Sequence, residues 1–141
     1  MDRFIDVESL IGLAREASAV KGDCGCLRYD LVGWGSWPVG LYEDSFIKIG
    51  TLAKYSPEDA IIEEYHPHGT TYWSPEAPIA PRYYPYNQST LWQCGKCARL
   101  YLRHNDDGAY HVAPRIRRVQ YGLVINAPHH SDGREVRAVA H

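Results

Sequence analysis

The chain has 141 residues, a formal net charge of −2, and 45% apolar and 23% charged residues. This composition is typical of one soluble globular domain, and the acidic balance disfavours nucleic acid as the main partner, because phosphate contacts require a basic face. No apolar run approaches the roughly 20 residues that a membrane helix requires, so no membrane span is expected.

The N-terminal region predicts an amphipathic α-helix over residues 3–20. Its apolar residues recur at three- and four-residue spacing; they are Phe4, Val7, Leu10, Ile11, Ala14 and Ala17. Asp2 or Asp6 can cap the N-terminus, and Lys21-Gly22 supplies a basic last turn followed by a left-handed stop. We expect this helix to cover one face of a sheet.

Residues 22–65 predict short strands separated by turns. Leu27–Leu31 can form a short strand after a glycine-rich loop. Ser45–Tyr55 alternates as a strand does, with Gly50 as a candidate β-bulge, and Ile61–Tyr65 can form another short strand. These segments predict part of the sheet that the helix covers.

Two loops are rich in aromatic residues. The tryptophan loop (Gly33–Gly40) is dense in turn formers and carries Trp34 and Trp37, which either line a groove or plug the edge of the core. The tyrosine loop (His66–Pro85) contains five prolines, which exclude long regular structure. Its candidate contact residues are Tyr72, Trp73, Tyr83 and Tyr84. Because a long ordered loop is often functional, we expect both loops to contact a protein partner.

The last third of the chain predicts a β-meander. The expected strands are Thr90–Gln93, Arg99–His104, Ala109–Val112 and Leu123–Ile125. Asn105–Gly108 carries an Asp-Gly hairpin signal between the second and third of them. Residues 129–141 lack a period and are predicted to form a flexible tail, which leaves a single domain over residues 1–128.

A Cys-x-x-Cys turn between strand-like runs is the strongest chemical signal. Cys94 and Cys97 can bind one ion together, with Gly95 relieving the tight turn. The stretch Trp92–Arg103 resembles a zinc knuckle of the zinc-ribbon type, although a full ribbon carries a second Cys-x-x-Cys. A redox Cys-x-x-Cys normally begins a helix, which these flanks do not predict. The resemblance therefore implies a structural Zn²⁺ site.

A tetrahedral zinc site requires two further ligands. Cys24 and Cys26, separated by one residue, form one candidate pair, and His66 and His68, also separated by one residue, form the other. One ligand from each pair is a third arrangement. Thiolates prefer the same soft ion, which favours the cysteine pair, and the histidine pair stays open.

Signals for an enzyme are weak. The sequence contains no His-Glu-x-x-His, no phosphate-binding glycine loop and no Gly-x-Ser-x-Gly elbow. A metal-dependent hydrolase would need three ligands and an open position, which His66, His68 and one knuckle cysteine can supply with Glu63 or Glu64 as base. Arginines and tyrosines within residues 99–121 can stack nucleic-acid bases, but they fit the polar face of a sheet equally well. A non-catalytic protein is therefore preferred.

Several segments together resemble a set of small uncharacterised proteobacterial proteins. They are Trp34–Tyr42, Glu64–Thr70, Ala77–Tyr83, Trp92–Cys97 and Arg115–Arg117. The resemblance spans most of the chain and implies no particular activity. Small bacterial proteins rich in Tyr and Trp include immunity proteins that plug a toxin's active site, so an immunity-type inhibitor is an alternative function by analogy.

The sequence as a whole predicts an α+β fold. In it, the N-terminal helix packs on a mainly antiparallel sheet that carries a zinc-knuckle hairpin and is crossed by the long Pro/Tyr-rich loop. Residues 1–6 have acids where a signal peptide would be basic, which predicts a cytoplasmic protein with reduced thiols. The predicted function is a non-catalytic, zinc-stabilised module that binds a protein partner.

Overall fold

The computed structural model describes residues 2–55, 59–107 and 112–128. Within these ranges the chain forms one α-helix near the N-terminus and a five-stranded antiparallel sheet, which confirms the predicted α+β class. The elements are α1 (Val7–Ser18), β1 (Gly35–Ser36), β2 (Phe46–Thr51), β3 (Thr90–Cys94), β4 (Leu100–Asp107) and β5 (Val112–Arg118). Their order across the sheet is β1-β5-β4-β3-β2. None of the helices in these ranges has the length and apolar character to cross a membrane.

Helix α1 begins four residues later than predicted. Asp6 is its N-cap, and the Asp6 carboxylate accepts a hydrogen bond of 2.7 Å from the backbone N–H of Ser9. Residues 3–5 are instead extended beside the end of β2: the N–H of Ile5 donates to the carbonyl oxygen of Thr51, and the N–H of Thr51 donates to that of Arg3, both at 2.8 Å. The N-terminal segment therefore pairs with the sheet before the chain turns into the helix.

The two faces of the sheet bury different residues, because side chains alternate along each strand. On one face, Leu91 of β3 and Leu100 and Leu102 of β4 pack with Leu10 and Ala14 of α1. This confirms that the helix covers the sheet. The opposite face is covered by the segment that precedes β2; its buried cluster comprises Cys26, Leu31, Phe46, Cys94, Tyr101 and Ile116.

A buried arginine anchors the tyrosine loop. Arg117 of β5 is fully buried, and it donates hydrogen bonds to the Tyr86 hydroxyl and to the carbonyl oxygen of Ala77, the latter at 2.6 Å. Burial lowers the pKa of the Arg117 guanidinium. On the same loop, the Tyr83 hydroxyl donates to the carbonyl oxygen of Pro128 at 2.7 Å. The loop is thus ordered by polar contacts to the C-terminal third of the chain.

Two predicted strands are absent in the part of the chain that the structure describes. In place of a strand over Leu27–Leu31, a short 3₁₀ turn spans Gly25–Arg28, because the chain bends there to bring its cysteines toward the sheet. Ile61–Tyr65 contains no strand. Ile61 and Tyr65 pack against the cluster that contains Tyr83, whereas Ile62 is exposed.

The C-terminal meander also differs from the prediction. Strand β4 continues through Asp107 instead of turning at Asn105, since Asn105 pairs with Pro114 and Asp106 with Ala113. Leu123–Ile125 contributes one isolated bridge, between Val124 and Ile79, rather than a strand. The predicted strand over residues 109–112 falls mostly outside the described ranges, and the predicted tail at residues 129–141 lies wholly outside them.

Candidate metal centre

Two distant segments bring the four cysteines together. Cys24 and Cys26 lie at the start of the 3₁₀ turn, Cys94 ends β3, and Cys97 lies in the turn between β3 and β4. All four sulfur atoms lie within 4.8 Å of one another. The cluster is compatible with a metal-binding site.

Two of the sulfur–sulfur distances are close to those of a tetrahedral metal site. Cys24 Sγ lies 3.7 Å from Cys94 Sγ, and Cys26 Sγ lies 3.6 Å from Cys97 Sγ. Zinc bonds to sulfur are about 2.3 Å long, which places tetrahedral ligands about 3.8 Å apart. These two distances are close to that value and every sulfur pair lies within 4.8 Å, so the cluster is compatible with a tetrahedral site.

The turn that carries Cys94 and Cys97 is held by backbone hydrogen bonds. The N–H of Cys94 donates to the carbonyl oxygen of Arg99, and the N–H of Ala98 donates back to that of Cys94, at 2.8 and 2.9 Å. Ala98 has a φ of +70°, in the left-handed region. Gly95 approaches a neighbouring segment closely: its N–H donates to the carbonyl oxygen of Ser45, and an added Cβ would lie 3.2 Å from that oxygen.

Donors around the cluster stabilise negative charge on sulfur. The pKa of Cys24 is lowered to about 7, chiefly by a hydrogen bond from the backbone N–H of Cys26. The Tyr101 hydroxyl donates to Cys26 Sγ at 3.0 Å. Backbone N–H groups of Cys97 and Lys96 point to Cys94. Sulfur ligands of metal sites commonly receive such hydrogen bonds, which orient the ligand and tune the ion.

Burial acts in the opposite direction on two of the thiols. It raises the pKa of Cys26 to about 12 and also raises the pKa of Cys94. Both thiols therefore keep their protons at neutral pH unless a cation replaces them. The Arg99 guanidinium lies near Cys97 and donates to the carbonyl oxygen of Gly22 at 2.9 Å, and the interaction with Cys97 raises the pKa of Arg99.

The histidine pair does not join the cluster. Within the described ranges, the only group of three or more metal-ligating side chains consists of the four cysteines. His66 Nε2 lies 2.6 Å from the Glu64 carboxylate instead, and His68 is exposed with a φ of 62°. The structure thus brings together Cys24, Cys26, Cys94 and Cys97, and it leaves the His66 and His68 alternative apart.

The predicted partner-binding aromatics are less exposed than expected. Trp34 is 4% exposed and Tyr83 is 7% exposed, so neither offers a contact surface in the folded chain. Trp34 packs against Tyr72, Tyr86 and His104, which corresponds to the core-plugging alternative for the tryptophan loop. Trp37, Tyr72 and Tyr84 are half-buried, and Trp73 is 54% exposed.

Three of the arginines within residues 99–121 have partners within the fold. Arg103 lies between the rings of Trp37 and Trp92, 4.3 and 4.9 Å from their centres, and pairs with the Glu43 carboxylate at 2.6 Å. Arg115 pairs with Asp106 at 3.4 Å. Arg117 is buried, so these three side chains all contact other parts of the fold.

Sequence reasoning missed the exposed apolar residues beside the cluster. Tyr42 lines a small cavity of about 140 Å³ together with Cys24 and Cys94, and both Val39 and Ile47 are strongly exposed nearby along the chain. Ile47 also lies close to Gly95 of the cysteine turn. A strand pattern alone does not reveal which apolar side chains the fold leaves uncovered.

No protein-family model matches the chain, and neither a curated protein nor a solved structure is significantly similar to it. The resemblance to small proteobacterial proteins therefore stays a prediction. Conclusions about function depend on the geometry of the cysteine cluster and of the surface around it.

Proposed function

We propose that the four cysteines bind one structural Zn²⁺ and that the protein is a non-catalytic, zinc-stabilised binding module. The observation that supports this most directly is the spacing of the four sulfur atoms, all within 4.8 Å of one another. A site of soft thiolates favours zinc or iron over hard cations such as Mg²⁺ or Ca²⁺, and Zn²⁺ bound by four cysteines is a common structural arrangement.

Four sulfur ligands support a structural rather than a catalytic role. A catalytic zinc keeps one position open for water, whereas four thiolates fill the tetrahedron. His66 and His68, which the hydrolase alternative required, are not in the cluster. The non-catalytic interpretation is therefore favoured over a metal-dependent hydrolase, and the immunity-type inhibitor stays a prediction by analogy.

The zinc ion would fasten a loop that has little regular structure. Between α1 and β2 the chain forms only short turns and the two-residue strand β1. Its backbone ties to the sheet include the N–H of Arg118, which donates to the carbonyl oxygen of Leu31. Metal binding supplies folding free energy to such segments, because the site does not exist in the unfolded chain.

The metal-fastened loop also carries the surface that we propose for a protein partner. Val39, Tyr42 and Ile47 are all strongly exposed, and they lie on or next to this loop. Tyr42 lines the small cavity at the cysteine cluster, and Ile47 lies close to Gly95 of the cysteine turn. Exposed apolar side chains at such a place are suited to contact a protein partner. In this proposal, zinc acts indirectly by fixing the conformation of the contact surface.

Metal analysis of the purified protein tests the zinc site. We expect one zinc per chain, and after exchange to Co²⁺ we expect the strong visible absorption of a tetrahedral thiolate site. For this test the protein is purified without chelators or other agents that remove the metal. The proposal would be overturned if that protein contains no zinc and acquires no such absorption with Co²⁺. If iron were found in place of zinc, the four-cysteine site would be supported but the assignment of the ion as zinc would be wrong.

The partner surface is tested separately. A partner that co-purifies from the source cell would be identified, produced alone and titrated with the purified zinc-bound protein. Tyr42→Ala is expected to weaken that binding at least tenfold, while Trp73→Ala, a matched change at another exposed aromatic, leaves it unchanged. If Trp73→Ala weakens the binding and Tyr42→Ala does not, the partner contacts the tyrosine loop instead.

A further inference from the structure

A groove on the surface reaches one of the four cysteines. It has a volume of about 480 Å³, and its lining residues are Asp23, Cys24, Gly25, Leu27 and Arg28. Cys24 also lines the small cavity of about 140 Å³ beside the cluster. Because Cys24, Gly25 and Arg28 border both spaces, this groove, which we call the entry groove, adjoins the cysteine cluster at Cys24.

None of the other three cysteines lines the entry groove. Cys26 is 5% exposed and Cys94 is 3% exposed, so both thiols face the interior. Cys97 is half-buried, it lines neither of the two spaces, and the Arg99 guanidinium lies near it. A small molecule in the entry groove therefore meets Cys24 before any other ligand of the proposed ion.

Cys24 also lies on a less regular part of the chain than the cysteine it faces. Cys94 ends β3, where its N–H donates to the carbonyl oxygen of Arg99 and its own carbonyl oxygen accepts from the N–H of Ala98. Cys24 precedes the 3₁₀ turn and belongs to no helix or strand. Displacement of the Cys24 side chain from the cluster thus disturbs fewer ordered contacts than displacement of Cys94 would.

A cation stands where the two spaces meet. Arg28 borders both and is exposed, and Lys96, also exposed, lines the small cavity. The Asp23 carboxylate lines the entry groove alone. Positive side chains attract an approaching anion, and a thiolate is the ligand that can replace a cysteine on a soft metal ion. These features favour a small anionic thiol as the molecule that enters the groove.

We propose that the metal centre exchanges its ion through the entry groove, with a small anionic thiol as the incoming ligand and Cys24 as the ligand that it displaces. The incoming thiol loses its proton to solvent and its sulfur bonds to the ion, while the bond between the ion and Cys24 Sγ breaks and leaves a thiolate; nothing is oxidised or reduced. The inference rests on the proposed zinc site. It adds a way in which the ion that fastens the loop is delivered or removed.

A side chain added at Gly25 tests the part played by the groove. Among the described residues nothing lies within 4 Å of a Cβ added at Gly25 or at Gly122, and both glycines are exposed. Zinc-loaded, full-length protein is mixed with glutathione, and the colour of the chelator zincon reports the zinc that is released. Gly25→Phe, inside the groove, is expected to slow the release by roughly tenfold, whereas Gly122→Phe leaves it unchanged.

Arg28→Gln tests the preference for an anion. It is expected to slow release by glutathione, which carries a net negative charge, by about two- to fivefold, and not to slow release by the cationic thiol cysteamine. An equal loss of rate with both thiols overturns the assigned role of Arg28.

Limited alkylation of the wild-type protein identifies the displaced ligand. A substoichiometric amount of N-ethylmaleimide, added to the zinc-loaded protein, is expected to modify Cys24 ahead of the other three cysteines, as read by tandem mass spectrometry. Predominant modification of Cys97, or zinc release that Gly25→Phe does not slow, overturns the proposal. Equal zinc content of all variants before mixing shows that a damaged site is not the cause of any change. A wild-type protein that binds no zinc contradicts the proposed function itself, which distinguishes the two failures.

Discussion

Cys24 Sγ and Cys94 Sγ lie 3.7 Å apart although 70 positions separate them in the sequence. The contact joins an irregular loop to the end of β3. The same two segments also meet at Cys26 and Cys97, whose sulfur atoms lie 3.6 Å apart. A divalent ion bound by all four would cross-link the loop to the sheet at two points on each side. Folding of the loop and binding of the ion are thus expected to depend on each other.

Replacement of a single ligand should release the metal. Cys94→Ser is expected to lose bound zinc and to lower the free energy of unfolding by several kcal/mol, because metal binding contributes about 10–16 kcal/mol to small zinc domains and one ligand is missing. Zinc content and chemical denaturation measure both effects. His66→Ala serves as the comparison and should retain zinc, since His66 lies outside the cluster. Loss of zinc from His66→Ala alone would contradict the four-cysteine site.

Removal of the metal should make the thiols prone to oxidation across the two segments. After chelation, the mild oxidant diamide is expected to form the disulfides Cys24–Cys94 and Cys26–Cys97, because these pairs are 3.7 and 3.6 Å apart. Each disulfide takes two thiol hydrogens, which reduce diamide to its hydrazine. Peptide mapping under non-reducing conditions identifies the pairs, and a predominant Cys94–Cys97 disulfide would count against this arrangement. The zinc-bound protein should resist the same treatment.

Two glycine-to-alanine changes should have opposite effects on stability. A Cβ at Gly50 would collide with the carbonyl oxygen of Arg3 and lie 2.9 Å from Ile5 Cγ1, so Gly50→Ala is expected to cost about 1–3 kcal/mol. Gly12 lies inside α1 with nothing within 4 Å of an added Cβ, and Gly12→Ala should stabilise by roughly 0.5–1 kcal/mol. Denaturant titrations of the two variants compare them directly. A stabilising Gly50→Ala would show that the N-terminal segment does not approach β2 as closely as described.

Trp34 and Trp73 should separate core packing from surface exposure. Trp34→Ala removes a buried ring that contacts Tyr72 and Tyr86, and it is expected to cost about 3–5 kcal/mol. Trp73→Ala removes a ring that is half exposed and should cost about 1 kcal/mol or less. Thermal denaturation monitored by circular dichroism provides the measurement. Similarly small losses of stability for both variants would show that Trp34 is not buried in the core.

Local sequence patterns predicted the elements that are stabilised by residues close to one another in the sequence. The apolar spacing of Leu10 and Ala14 indicates α1, and the Cys94 and Cys97 spacing indicates the turn that presents both thiols. Gly50 lies at the register shift between β2 and β3, as the predicted bulge requires. In each of these cases the relevant interactions span only a few residues.

Long-range packing decided the features that the sequence left open or misassigned. Whether Cys24 or His66 completes the site depends on contacts across about half of the chain, which no local spacing encodes. Trp34 is buried because rings from the tyrosine loop fold over it, and this burial is invisible in a turn-rich segment. The turn predicted over Asn105–Gly108 was placed too early, because cross-strand pairing with β5 carries β4 through Asp107.

The pairing of residues 3–5 with Thr51 has a consequence for self-association. Strand β2 is at the border of the sheet, where unsatisfied backbone groups of one molecule can recruit a strand from another. The N-terminal segment pairs with the end of that edge at Thr51. Beside it, Lys48 forms an ion pair with Asp2. The backbone groups of Thr51 are thereby satisfied within the molecule and are not available to a strand of another copy.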